Sequence, residues 1–241
     1  MNITEKIVAK QNGNFDNPGI TVAFLGDSVT QGCFEVYLKS DGGIETVFDR
    51  NSAYHMYFSK IFSVLCPNVP VNVINAGISG GTAPHGLERL DRDVLKFSPD
   101  LVVVCFGLND CGGGLEKLDC YKNALAEIFD RVKESGSELI FMTPNMMCTD
   151  LSCHIKEEKI REIAGNICNN QKNGILDAYI ECAKEVCKEK NVTVCDCYKK
   201  WKRLSDLGIN VTELLANKIN HPTREMNWLF AYSLVETILG L

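Results

Sequence analysis

Thr21-Val22-Ala23-Phe24-Leu25-Gly26-Asp27-Ser28-Val29-Thr30-Gln31-Gly32 is the stretch whose reading decides the fold. A mostly apolar run enters a Gly-Asp-Ser turn, so the pattern predicts a buried strand that ends just before Ser28. In an open α/β sheet the C-terminal edge of the strands is where ligands bind. A glycine there allows a tight turn, from which the hydroxyl and the backbone N–H of Ser28 can face a ligand. Gly, Asp and Ser are also ordinary turn formers, so the rest of the chain must give the stretch its meaning.

Working outward, Glu35 to Asn51 is polar, rich in Gly and Asp and without clear periodicity, and reads as a surface excursion near the turn. Ser52 to Leu65 presents an apolar helical face (Tyr54, Tyr57, Phe58, Ile61, Phe62, Leu65) that ends at Cys66-Pro67. Val71 to Gly77 reads as a second strand breaking into Ile78-Ser79-Gly80-Gly81-Thr82, and His85 to Phe97 as an amphipathic helix. Leu101 to Phe106, apolar throughout, suits a central parallel strand buried on both faces. It ends in Gly107-Leu108-Asn109-Asp110, and a helix follows over Lys117 to Glu134. Glu138 to Pro144 is a fourth strand, Ile155 to Lys190 is mostly helical with a break near Gly174, and Val192 to Cys195 is a short fifth strand. Trp201 to Ile219 is less regular, with a short helix at Val211 to Ala216, and Pro222 to Leu241 reads as a last helix with proline in its first turn. Strands alternating with helices predict a three-layer α/β/α sandwich around a flavodoxin-like five-stranded parallel sheet, in the order 2-1-3-4-5. With no linker or repeat visible, residues 1–241 read as a single domain with 1–19 as an N-terminal extension.

The 241 residues suffice for one large core, and 45% hydrophobic with 23% charged residues is the composition of an ordinary globule. A net charge of -6 argues against nucleic acid or an anionic membrane surface as the main partner. No run reaches the roughly 18 apolar residues of a membrane span. Met1 to Asn14 is polar and lacks the apolar core of a secretion signal, so the expected location is cytoplasmic and the 12 cysteines are expected as reduced thiols. Cys195 with Cys197, and Cys148 with Cys153 and His154, match no paired zinc-ligand spacing, so no metal and no cofactor are expected.

In such a sheet the segments after strands one, two and three meet along one edge, and the loop at Asn220-His221-Pro222 can join them. That edge then collects the parts of an acyl-transfer site. Ser28 is the candidate nucleophile, and His221 is the base that takes its proton and returns it to the leaving alcohol. The N–H groups of Ser28 and Gly80 and the side-chain amide of Asn109 are the oxyanion donors. Asp27 reads as a residue that shapes the turn or hydrogen-bonds neighbouring loops, and Asp110 as one that caps or braces the loop carrying Asn109.

Gly26-Asp27-Ser28-Val29, Asn75-Ala76-Gly77-Ile78-Ser79-Gly80, Gly107-Leu108-Asn109-Asp110 and His221-Pro222 occur in the order and rough spacing of the four signature blocks of the SGNH (GDSL-type) hydrolase superfamily. The chain resembles that superfamily from Val22 to its last helix. The resemblance implies a flavodoxin-like sandwich and hydrolysis of esters, with Ser28, Gly80, Asn109 and His221 on the residues that give the superfamily its name. Two departures stand out. Val29 replaces the usual leucine, and Lys218 stands where the family has the Asp that orients the histidine. Either a Ser-His dyad operates, with Asn217 or a backbone carbonyl orienting His221, or a carboxylate such as Asp206 or Glu213 arrives from elsewhere.

His55, His85 and His154 lack the setting expected of the base and read as structural or surface residues. The cluster Arg89, Asp91, Arg92 and Asp93 reads as a solvated helix face with ion pairs. Phe34, Tyr37 and Met146-Met147 are candidates to line a substrate groove, or else to cover the core. The leading reading is a serine ester hydrolase acting on a small ester, either an acetylated sugar or a short-chain acyl ester. The alternative is a binding module that kept the fold and lost turnover. A flavodoxin-type nucleotide or flavin protein fails because the loop after strand one lacks a phosphate-cradling run.

Overall fold

The computed structural model describes residues 2–241. The strands are β1 (Ile20–Gly26), β2 (Cys33–Leu38), β3 (Ile44–Phe48), β4 (Val71–Gly77), β5 (Leu101–Cys105), β6 (Glu138–Met142) and β7 (Thr193–Cys195). The helices are α1 (Ile3–Asn12), α2 (Ser28–Gln31), α3 (Tyr54–Leu65), α4 (Ala83–Glu88), α5 (Leu90–Asp93), α6 (Leu118–Glu134), α7 (Glu158–Lys172), α8 (Ile175–Glu189), α9 (Cys197–Asp206) and α10 (Asn227–Leu239). Five strands form one parallel sheet in the order β4-β1-β5-β6-β7. Numbered by the five strands read from sequence this is 2-1-3-4-5, the expected flavodoxin-like order. The order reverses at β1, so the crevice between the segments leaving β4, β1 and β5 is the place where such sheets bind ligands.

The unbroken apolar runs sit where burial on two faces requires them. Val22 to Leu25 and Leu101 to Val104 are fully buried. One helical group packs α10 against α3 and α1; the other packs α6 between α4 and α8. Within the segment read as an extension, Met1 lies outside the described residues. Helix α1 is closed by an Asn2/Glu5 capping box and buries Ile3 and Ile7 in the main core.

Four local expectations are corrected. The stretch from Glu35 to Asn51 is not an irregular excursion: β2 and β3 pair as an antiparallel hairpin with a register irregularity between Cys33 and Val36. Its turn is closed by Lys39 and Gly43, with Gly42 at φ +79. The expected helix from His85 to Phe97 is broken into α4, α5 and a short 3-10 turn. The chain leaves the helical path at Arg89 (φ -106, ψ 4), whose guanidinium turns into the protein and donates to the Ala76 carbonyl at 2.6 Å and the Gly26 carbonyl at 2.8 Å. Arg89 is therefore buried and clamps the ends of β4 and β1, rather than lying on a solvated face, while the expected ion pairs form, Asp93 meeting both Arg89 at 3.2 Å and Arg92 at 2.7 Å. The region after Trp201 is more regular than expected, because Asp196 caps α9 and Trp201 is fully buried beneath it. Finally, α10 begins at Asn227 and not at Pro222. Pro222 instead bridges Leu215, with Ala216 N–H on the His221 carbonyl at 2.7 Å and Thr223 N–H on the Leu214 carbonyl at 2.9 Å.

Candidate active site

Ser28 opens α2 directly after β1. Asp27 caps that helix by accepting the Val29 N–H at 2.9 Å, which fixes the turn that presents the hydroxyl. The neighbouring strand lets α2 sit this close only because Gly77 has no side chain. A Cβ there would stand 2.2 Å from the Gln31 backbone nitrogen.

The loop that bears His221 is wound around one side chain. Asn217 Oδ1 accepts the backbone N–H of Ile219 (3.0 Å), Asn220 (2.9 Å) and His221 (3.0 Å), while its amide donates to Asn220 Oδ1. This brings the imidazole between two partners. His221 Nε2 lies 2.9 Å from Ser28 Oγ, and Nδ1 lies 2.8 Å from the backbone carbonyl oxygen of Phe34. A carbonyl only accepts, so Nδ1 carries the proton and donates, and Nε2 is left with the lone pair that accepts the Ser28 O–H. That is the tautomer a general base needs.

Of the two dyad orienters open from sequence, Asn217 or a backbone carbonyl, it is the carbonyl that meets the ring; Asn217 instead orients the backbone of His221, its oxygen being taken up by three main-chain N–H groups. Neither alternative carboxylate reaches the imidazole. Asp206 is exposed at the end of α9, and Glu213 is bonded to Lys218 Nζ at 2.9 Å. The atom in the place of a triad carboxylate is the Phe34 carbonyl, at the start of the hairpin. Burial holds His221 below its ordinary pKa, opposed by the Phe34 carbonyl and by the charge of Glu35.

Gly80 adopts φ +75 in the loop after β4, and a Cβ there would meet open space. Neither its N–H nor that of Ser28 makes a hydrogen bond among the described residues. Asn109 Nδ2 donates to the Gly81 carbonyl at 2.9 Å and reaches Asp27 Oδ2 only at 3.5 Å, so one of its N–H groups is loosely held. Asp110 braces the surrounding loops, accepting Ala83 N–H at 2.8 Å and Gly107 N–H at 3.0 Å. Burial pushes Asp27 up to about 7, with the charge of Asp110 adding and the Val29 N–H opposing; burial likewise pushes Asp110 up to about 6.

Ser28, Gly80, Asn109 and His221 border one cleft of about 320 Å³. The rest of its lining is mixed: Val36 and Ile44 from the hairpin, Ile160, Ile163 and Ile167 along one face of α7, and Ile219 form an aliphatic side, and Thr46, Ser79, Asn217 and Asn220 add polar groups. Of the residues read from sequence as lining a groove or else covering the core, none borders this cleft. Phe34 on β2 and Met146 and Met147 after β6 are buried and cover the core, and Tyr37 is 48% exposed on the outer side of the hairpin. The Phe34 carbonyl and the isoleucine wall escaped the sequence reading, although the turn Asp41-Gly42 between alternating β-branched residues is a hairpin signal. His55 is buried against the Thr30 carbonyl at 3.1 Å and pushed down to about 4 by burial, while His85 and His154 are exposed. Among the described residues no group of three or more His, Cys, Asp or Glu is arranged to hold a metal ion, and no helix is long and apolar enough to cross a membrane.

The arrangement can transfer an acyl group, and comparison with known proteins points the same way. An acetylxylan esterase of Geobacillus stearothermophilus is 27% identical over 135 residues, covering 52% of this chain and 60% of that protein. An arylesterase of Vibrio mimicus is 32% identical over 98 residues, covering 38% of this chain and 48% of that protein. The chain thus spans only about half to three-fifths of the length of these relatives. Among solved structures, the acetylxylan esterase of Geobacillus stearothermophilus superposes with a TM-score of 0.66 at 22% identity, over 92% of this chain and 94% of that one. An α/β hydrolase from the metagenome of Lake Arreo gives 0.67 at 18% identity, over 94% and 98%. These likenesses show a shared fold. A model of the GDSL-like lipase/acylhydrolase family matches residues 24–229, a span that holds all four sequence blocks, and the chain belongs to that family.

Proposed function

We propose that the protein is a carboxylic ester hydrolase working through a Ser28–His221 dyad. The observation that carries this reading is the relay from Ser28 Oγ to Nε2 (2.9 Å) and from Nδ1 to the Phe34 carbonyl (2.8 Å). As Oγ bonds to the ester carbon, its proton passes to Nε2 and the carbonyl oxygen becomes an oxyanion facing the N–H groups of Ser28 and Gly80 and the Asn109 amide. The bond from carbon to the alcohol oxygen then breaks, and that oxygen takes the proton from Nε2. Water repeats the sequence on the acyl-enzyme, releasing the acid and restoring Ser28. The imidazolium is supported by a carbonyl dipole and by Glu35 rather than by a contacting carboxylate.

For the substrate, the names of the relatives favour an acetylated carbohydrate. The six aliphatic residues of the cleft favour a short-chain acyl ester as a second reading. The free state of all 12 cysteines supports a reducing, cytoplasmic setting. The test is hydrolysis of p-nitrophenyl acetate and of acetylated xylo-oligosaccharides by the wild type, Ser28→Ala and His221→Ala. Turnover by the wild type with near-background rates in both variants is expected. A folded Ser28→Ala protein with the wild-type rate would remove Ser28 as nucleophile, and an inert wild type would return the fold to a binding role.

A further inference from the structure

Arg224 lies three residues beyond His221 and ties the base's loop to the hairpin. Its Nη1 and Nη2 donate to the two carboxylate oxygens of Glu35 at 2.6 and 3.2 Å, and its Nε donates to Asp49 Oδ2 at 2.9 Å. The centre of the guanidinium stands 4.3 Å from the centroid of the Phe34 ring. Phe34 is the residue whose carbonyl holds His221 Nδ1, Glu35 is its neighbour, and Asp49 donates its own N–H to the Gly32 carbonyl at 2.9 Å, at the end of the nucleophile's helix. One side chain therefore pins both ends of the hairpin to the loop of the base.

A surface ion pair is ordinarily worth little, and Arg224 and Asp49 are each 32% exposed and Glu35 43%. Here the fork is bidentate, a second carboxylate and an aromatic face complete its coordination, and the fixed object is the atom that stands in for the triad acid. Lys218, at the family's acid position, is turned away onto Glu213 and supplies no charge to the ring.

We propose that Arg224 and Glu35 are positioning residues for the dyad: they hold the Phe34 carbonyl on Nδ1 and set the negative field in which the imidazolium forms. This rests on His221 being the base. The charged and titratable groups on the elements packed against the ring are Glu35, whose charge favours the imidazolium, Asp49 and Arg224, which complete the ion-pair cluster with it, and Asp27 beside Ser28, whose carboxyl is raised to about 7 by burial. The trio Glu35, Asp49 and Arg224 carries one net negative charge. Removing the arginine makes it two, which favours the imidazolium; neutralising Glu35 makes it zero, which disfavours it.

The experiment is the pH dependence of kcat and KM with p-nitrophenyl acetate for the wild type, Arg224→Met, Arg224→Lys and Glu35→Gln, with thermal melts on each. For Arg224→Met we expect kcat down by about 10- to 100-fold with KM little changed, as for a misplaced catalytic group, and the acidic limb of kcat/KM moved to higher pH. For Glu35→Gln the limb moves to lower pH. Arg224→Lys keeps the wild-type limb, because the charge is kept, but not the full kcat, because the fork is lost. A merely structural clamp would lower folded protein or kcat without moving the limbs in opposite directions, and that result overturns the proposal. If Arg224→Met does not fold, the Glu35→Gln limb and the Arg224→Lys kcat decide it. A wild type without turnover would instead overturn the hydrolase reading itself, and this proposal with it.

Discussion

Replacing Asn109 by alanine separates catalysis from folding. In the free protein Asn109 Nδ2 spends one N–H on the Gly81 carbonyl at 2.9 Å, and its only other contact is Asp27 Oδ2 at 3.5 Å, too long to be a firm bond. The second N–H is thus the one that a nascent oxyanion in the shared cleft can take up. The folded state loses one side-chain-to-backbone hydrogen bond, worth about 0.5–1.5 kcal/mol. The transition state loses a donor to a full charge, worth about 2.7–4 kcal/mol, or about 10²–10³ in kcat. Alanine also removes the amide without placing a new group against Asp27. The assay is kcat and KM with an activated acetate ester, paired with urea unfolding of the same preparations. The expected result is a kcat lower by two to three decades, a KM within a few-fold of the wild type, and a stability loss of order 1 kcal/mol. A folded Asn109→Ala enzyme with unchanged kcat would take Asn109 out of the oxyanion site. A fall in kcat that tracked the loss of folded protein would make it a structural residue.

Asp27→Asn should change how stability responds to pH. In the fold the carboxyl titrates at about 7 instead of 3.8, so its stability contribution is complete below about 4 and is lost as pH rises to about 7; the gap corresponds to at most about 4 kcal/mol. Melting curves of wild type and variant should diverge over that window in favour of the asparagine, and parallel curves would contradict the buried-carboxyl account. Arg89→Met takes the guanidinium donors from the Ala76 carbonyl and from the Gly26 carbonyl, which keeps the Ile78 N–H at 3.1 Å, so urea unfolding should show a loss of about 1–3 kcal/mol; a loss below about 0.5 kcal/mol would mean the clamp is dispensable. If the isoleucine wall takes the acyl half of the ester, kcat/KM should rise about fourfold per methylene from acetate to butyrate, at about 0.8 kcal/mol each. Ile163→Asp should flatten that rise, and a wild-type preference for acetate over butyrate would refute the assignment.

The parts of this candidate site that were legible in the sequence are those marked by residue type at a strand end or ahead of a helix. Ser28, Gly80, Asn109 and His221 each follow a strand or precede a helix, and a parallel sheet must bring such segments to one edge whatever their separation in the chain. The continuous apolar runs of β1 and β5 declared the centre of the sheet in the same way. What stayed hidden was of another kind. A backbone carbonyl was one of the two orienters open from sequence, but not which one: the partner of His221 Nδ1 is the main-chain oxygen of Phe34, which any residue at that position would own, so no residue type marks it. The misread of Arg89 came from its charged neighbours: Asp91 and Arg92 are exposed, but Arg89 faces two carbonyls that only the folded strand ends create. Asn217 was singled out because an amide one position from the family's acid invites a ring contact. Three backbone N–H groups outcompete the imidazole for its oxygen.

The central claim is that His221 activates the hydroxyl of Ser28, and covalent labelling tests it most directly. A fluorophosphonate should add one adduct to the wild-type protein, mapped by peptide mass to Ser28, with the rate of labelling collapsing in folded His221→Ala. An adduct on another residue, or labelling of Ser28 that proceeds equally fast without the imidazole, would contradict the account.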